Sequence, residues 1–215
     1  LITPWNYPFL MPLRDITLAI MAGNACVVKP SEVTPLVMIK TKEIWGASGM
    51  PPDLLGIVTG YGAAGAALID AGIDMCVFTG SVRTGKRVAA ACAERLIPCV
   101  MELGGKAPLI ACADCDIERT AQGIVNGGFT NSGQACIAVE RVYAHRDVHD
   151  ALLARVVELT GKLRTGDPVG DYCDIGGITF AHQIDVAEAH IADAVAKVAE
   201  FRGGGKRRSD GNLAF

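Results

Sequence analysis

Short apolar runs that stop at glycine or proline, each followed by a helical pattern, recur through the first hundred residues. This rhythm restricts the fold more than any other feature of the chain. Ala25 to Val28 is a strand pattern halted at Pro30, while Leu55 to Thr59 and Met75 to Thr79 run straight into Gly60 and Gly80. Between them Pro12 to Ala22, Pro35 to Ala47, Ala63 to Ile69 and Gly85 to Glu94 read as helices, from their spacing, their alanine content and the Pro or Gly at their ends. Strands this short and this uniformly apolar are buried on both faces. The alternation therefore predicts an α/β fold, a largely parallel sheet with helices on both sides.

The texture changes around Pro98 to Gly105, where a strand enters the turn Glu102-Leu103-Gly104-Gly105-Lys106. A domain junction is expected there, dividing the chain into residues 1–103 and 104–215. Beyond it Leu109 to Ala111 and Val142 to His145 read as strands, and Asp116 to Gly128 as a helix. Val148 to Leu163 is an amphipathic helix with Val148, Leu152, Val156, Leu159 and Leu163 on one side. A last helix is expected from Ala181 to Phe201, then a loop opened by Gly203-Gly204-Gly205 and ending at Phe215. There is no internal repeat.

Charge and length exclude several functions. Twenty Lys and Arg against 23 Asp and Glu give a formal charge of −3, which offers no field for nucleic acid. Half of the 215 residues are hydrophobic and a fifth are charged, which excludes a disordered chain. The stretch Thr120 to Val139 carries no charge and is long enough to span a bilayer, but Gln122, Asn126, Asn131, Ser132 and Gln134 would be costly in lipid. No membrane partner is expected. No secretory leader opens the chain, and Ile2-Thr3-Pro4-Trp5 reads as the end of an element already in progress, so a piece of a longer protein is expected. The eight cysteines follow no regular framework and suit a reduced, cytoplasmic protein without a metal site. Cys112-Ala113-Asp114-Cys115 has the spacing of redox and zinc pairs, but no second pair accompanies it.

Two glycine-rich turns compete for a cofactor. Gly60-Tyr61-Gly62-Ala63-Ala64-Gly65 matches GxGxxG between a strand and a helix, yet the acidic residue expected at the end of the next strand is missing. A plain strand-to-helix turn explains it equally. The second turn, Thr79-Gly80-Ser81-Val82-Arg83-Thr84-Gly85, could hold a pyrophosphate on backbone N–H groups and hydroxyls at a helix start. Lys29, with Pro30-Ser31-Glu32 after it, is either a cation for a ribose or a solvated strand end, and Ser31 either a contact or a helix cap.

The sharper signal is Phe129-Thr130-Asn131-Ser132-Gly133-Gln134-Ala135-Cys136, one thiol within an uncharged, amide-rich stretch. A nucleophilic cysteine needs a partly exposed site with donors for the oxyanion it creates. Two other residues suit such a site. Glu102 ends an apolar strand beside two glycines, as a base or as the partner of Lys106. Asn6 lies between Pro4 and Pro8, its amide either aimed into a cleft or bonded to its own turn.

Pro4-Trp5-Asn6-Tyr7-Pro8, Lys29-Pro30-Ser31-Glu32, Phe78-Thr79-Gly80-Ser81 with Gly85, Glu102-Leu103-Gly104-Gly105-Lys106 and Phe129-x-Asn131-x-Gly133-Gln134-x-Cys136 together resemble the aldehyde dehydrogenase superfamily, in its motif order. The resemblance implies a Rossmann-like cofactor domain and an α/β catalytic domain, both truncated here. It implies an NAD cofactor, with NADP as the alternative, a small-molecule aldehyde substrate and a homo-oligomer for the whole protein. Cys136 is then the nucleophile, Glu102 the general base, and Asn6 an oxyanion donor alongside the Cys136 N–H. Trp5, Lys29, Ser31, Glu32, Gly62, Thr79, Gly80, Ser81, Gly85 and Leu103 line the cofactor. Relatives that pass the acyl group to coenzyme A or reduce an acyl phosphate characteristically lack a base at the Glu102 position, so its presence implies hydrolysis to a free acid. The family's later Glu-x-Phe-Gly-Pro motif is not evident. A cofactor-independent thiol hydrolase and a non-catalytic remnant are the competing readings.

Overall fold

The computed structural model describes residues 1–167, 169–170 and 172–207. The chain divides into two compact units, Leu1–Gly104 and Gly105–Phe215. In the first, strands β1 (Cys26–Val28), β2 (Leu55–Ile57), β3 (Cys76–Thr79) and β4 (Cys99–Glu102) alternate with helices α1 (Leu10–Met21), α2 (Leu36–Ala47), α3 (Gly62–Asp70) and α4 (Val82–Glu94). β1 pairs with β2 and β3 with β4, both in parallel.

A single residue joins the two pairs. Ile2 bridges in parallel to Lys29 on one side and Phe78 on the other. Its N–H donates to the Val77 carbonyl at 2.9 Å, and its carbonyl accepts from the Thr79 N–H at 2.9 Å. The result is one parallel sheet in the order β2, β1, Ile2, β3, β4, with the earliest segment in the middle. The chain winds outward from Ile2 in one direction through β1 and β2, then returns to wind the other way through β3 and β4. Right-handed crossovers running in opposite directions put α1 and α2 on one face and α3 and α4 on the other. Two separate cores follow. One holds Ile16, Cys26, Val28, Met38 and Leu55, and the other Ile69, Cys76, Phe78, Val88 and Cys92. Each large apolar side chain buried there contributes about 1.5–3 kcal/mol.

Helix bounds differ from expectation where local chemistry intervenes. α1 begins at Leu10 and absorbs Pro12 in its first turn, where a missing N–H costs no helical bond. α4 begins at Val82, ahead of Gly85, because the Ser81 side chain caps it by accepting the Thr84 N–H at 3.2 Å.

In the second unit β5 (Ala107–Ala111) pairs in parallel with β6 (Val139–Ala144). They are connected by α5 (Ile117–Phe129) and a 3₁₀ turn, Thr130–Gly133. α6 (Arg146–Gly161) packs beside α5, so that Ala111, Ala121, Ile124 and Leu152 form the core. β6 starts earlier than Val142 because Glu140 and Arg141, which interrupt the apolar pattern, find partners on β5's side. The Lys106 ammonium donates to Glu140, and Arg141 donates to the Lys106 carbonyl at 2.7 and 2.9 Å. α7 (His182–Ala196) stops short of Phe201 because Val198 turns left-handed, at φ 64°, and the Ala199 N–H bonds back to the Ala194 carbonyl at 3.0 Å. Of the expected terminal loop, residues beyond 207 lie outside the described residues. Among the described residues no helix is long and apolar enough to cross a membrane.

Candidate active site

In an open parallel sheet, ligands bind outside the carboxyl ends of the strands, in the crevice where the winding direction reverses. Here that point lies between Ile2 and β3. Three expected site segments leave the sheet at this end: Thr3-Pro4-Trp5-Asn6 after Ile2, Lys29-Pro30-Ser31-Glu32 after β1, and Gly80-Ser81 after β3. Glu102 closes β4 in register with Thr79, and its carbonyl accepts the Gly80 N–H at 3.0 Å.

Lys29 is 5% exposed, so it is not a solvated strand end. Its ammonium donates to Glu32 at 2.9 Å, leaving the Glu32 side chain 42% exposed. Burial works to raise the Glu32 carboxyl, but a backbone hydrogen bond and the hydrogen bond and charge of Lys29 outweigh it and hold the group below its ordinary value. Ser31 is buried and its hydroxyl accepts the Val33 N–H at 3.3 Å, forming a turn. Thr34, which sequence reasoning passed over, donates its hydroxyl to the Trp5 carbonyl at 3.2 Å and ties the Asn6 segment to the Lys29 loop. The Thr3 hydroxyl is buried without a hydrogen-bond partner among the described residues. Neither signal stands out in sequence, since threonine beside proline is common in turns.

The glycines divide by what surrounds them. A Cβ on Gly80 would lie 2.7 Å from the Phe78 ring, and one on Gly85 would lie 2.5 Å from a Leu103 methyl. These two are glycine because Phe78 and Leu103 pack against the start of α4. Gly65 lets α3 approach the sheet, with the Ile2 side chain 3.6 Å from a would-be Cβ. Gly62, at the start of α3, meets nothing within 4 Å. No protein packing requires glycine there.

Cys136 belongs to the second unit, and it is exposed. Asn131 (φ 53°), Ser132 (φ 59°) and Gly133 (φ 72°) are three successive left-handed residues before it. Such backbone costs about 1–3 kcal/mol per non-glycine residue and persists only where surrounding bonds enforce it. The enforcing bonds are present. Gln134 donates through Nε2 to the Asn131 carbonyl at 2.9 Å, and its Oε1 accepts the Thr179 N–H at 2.8 Å. Ser132 donates to the Gly176 carbonyl at 2.9 Å. Close backbone approach completes the seat: a Cβ on Gly105 would meet the Cys136 carbonyl at 3.2 Å, and one on Gly127 the Val139 side chain at 2.6 Å. The amide-rich stretch was legible in sequence, whereas its anchors at Gly176 and Thr179 were not.

Cys112 and Cys115 are both free, joined only by a turn in which the Cys115 N–H donates to the Cys112 carbonyl at 3.1 Å. Among the described residues no group of three His, Cys, Asp or Glu is placed to hold a metal ion.

A doubly wound sheet with its loops gathered at the reversal point, followed by a second α/β unit that seats an exposed cysteine on a strained turn, defines a two-part α/β protein. The chain belongs to the aldehyde dehydrogenase family, whose sequence profile matches residues 1–214. It is 39% identical over 213 residues to 4,4'-diapolycopene aldehyde oxidase of Methylomonas sp, covering 99% of this chain and 39% of that protein. Lactaldehyde dehydrogenase from Escherichia coli superposes with a TM-score of 0.96 at 33% identity, over 100% of this chain and 46% of that one. PnpE in complex with nicotinamide adenine dinucleotide superposes at 0.94 and 36% identity, over 99% and 44%. The chain thus spans less than half the length of these relatives.

Proposed function

We propose that the protein containing this chain oxidises an aldehyde to a carboxylic acid with NAD(P)+, the first unit binding the cofactor and the second carrying the nucleophile. The observation that carries this reading is the seat of Cys136, an exposed thiol on an anchored, strained turn. The Cys136 sulfur attacks the aldehyde carbon, and the Asn6 amide and the Cys136 N–H stabilise the oxyanion of the thiohemiacetal. When bound, the nicotinamide supplies the hydride acceptor that leaves a thioester on Cys136. Glu102 takes a proton from water, which hydrolyses the thioester and frees the acid.

The residues of the first unit suit a dinucleotide. Gly62 leaves open space beside α3, the capped start of α4 offers N–H groups to a pyrophosphate, and the partly exposed Glu32 suits a ribose hydroxyl. Because the Lys29 ammonium is already on Glu32, the pair presents a carboxylate, which favours NAD+ over a 2′-phosphorylated cofactor. Trp5, Ser31, Thr79, Gly80, Ser81, Gly85 and Leu103 shape the walls. PnpE, whose structure was solved with nicotinamide adenine dinucleotide, supports a dinucleotide in this unit. Cytoplasmic residence and homo-oligomeric assembly of the whole protein belong to the same reading.

The test is NADH absorbance on adding an aldehyde and NAD+ to the untruncated protein. Signal that disappears in Cys136→Ala supports the assignment. Ester cleavage at Cys136 with no NADH from any aldehyde would sink it in favour of a thiol hydrolase.

A further inference from the structure

Three cysteines that the reaction does not use converge at the opposite end of the first unit's sheet. Cys76 opens β3 and stands in register with Cys99, which opens β4. Cys92, in the last turn of α4, lies in the same buried core as Cys76, and both Cys76 and Cys99 act electrostatically on its thiol. Cys76 and Cys92 are 1% and 0% exposed, whereas Cys99 is exposed. A dissolved oxidant therefore reaches Cys99 first, with the buried thiols of Cys76 and Cys92 behind it.

The backbone selects which neighbour responds. Cys76 is held within the sheet, its N–H on the Pro98 carbonyl at 3.0 Å. Cys92 sits at a helix end, and its carbonyl accepts the Ile97 N–H at 2.9 Å, which folds the connection back and brings α4's end over the start of β4. That connection contains Leu96, left-handed at φ 56° and 92% exposed.

We propose that Cys99 is a peroxide-sensitive thiol and Cys92 its resolving partner, so that mild oxidation joins α4 to β4 through a Cys92–Cys99 disulfide. The Cys99 sulfur attacks hydrogen peroxide; the O–O bond breaks, the sulfur is oxidised to a sulfenic acid, and one oxygen leaves as water. The Cys92 sulfur then attacks the Cys99 sulfur, the S–O bond breaks, and the hydroxyl leaves as a second water with the Cys92 proton. Two thiols and one peroxide become one disulfide and two waters.

Peptide mapping tests this in the untruncated protein. Trypsin separates the three thiols into residues 43–83 (Cys76), 88–95 (Cys92) and 96–106 (Cys99). After brief peroxide treatment, maleimide blocking and non-reducing digestion, the expected product links 88–95 to 96–106 and disappears on reduction. In Cys99→Ser, Cys92 should stay fully reactive to maleimide after denaturation; if that variant does not fold, the wild-type map decides alone. A link from 43–83 to 96–106, or Cys99 recovered as sulfinic or sulfonic acid with Cys92 still a free thiol, would overturn the proposal.

Discussion

Asn131 and Ser132 accept left-handed backbone just ahead of Cys136, and the side chains of Gln134 and Ser132 hold that geometry in place. Such strain clusters at functional sites, which fits the role proposed for Cys136. Replacing Cys136 by Ser should leave the circular dichroism spectrum unchanged and lower aldehyde-dependent kcat by about 10³-fold or more. Glu102→Gln should act later in the cycle. Acyl-enzyme then accumulates, with a burst of NADH followed by a rate about 10²-fold or more below wild type. The glycines supply a finer contrast. Gly80→Ala collides with the buried Phe78 ring and should cost about 1–3 kcal/mol in urea unfolding. Gly62→Ala meets open space and should leave stability unchanged or raised by about 0.5–1 kcal/mol, while raising the KM for NAD+.

Helix α4 shows how much an element discloses from sequence. Its alanine-rich body was plain, yet Gly85 inside the first turn pointed to a later beginning than the one the Ser81 cap sets. What explains Gly85 is Leu103, whose approach depends on the strand order. Strand existence was likewise legible from apolar runs, and the motif residues from their spacing. The sheet order was not, because a pairing through Ile2 alone leaves no periodic trace. Charged residues hid the start of β6 for a related reason, since Glu140 and Arg141 are satisfied by a strand that only the fold brings near. At its two ends α4 makes opposite predictions. Ser81→Ala removes a cap and should lower stability by about 1 kcal/mol. Leu96→Gly relieves left-handed backbone just past the helix and should raise it by about 1–2 kcal/mol, both read from denaturant midpoints.

For the molecule as a whole, the buried thiols set an alkaline limit. Burial, then the neighbouring Cys92, push Cys76 up to about 12, and burial also raises Cys26 and Cys92. Unfolded, a cysteine releases its proton near the ordinary value of 9.0, so above that pH the unfolded chain binds fewer protons than the folded one. The stabilisation is therefore complete below pH about 9 and declines as pH rises toward about 12. Urea midpoints across that range should fall in the wild type and fall less steeply in Cys76→Ala.

The central place of Ile2 has a consequence for synthesis. During translation Ile2 emerges well before either of its neighbours, Lys29 and Phe78. Ile2 can meet Lys29, β1 can meet β2, and β3 can meet β4 through local closures, but the pairing of Ile2 with Phe78 waits for β3. The seam between Ile2 and β3 is thus paired after the contacts on either side of β1, and until then Ile2 leaves an open strand edge exposed to the crowded cell.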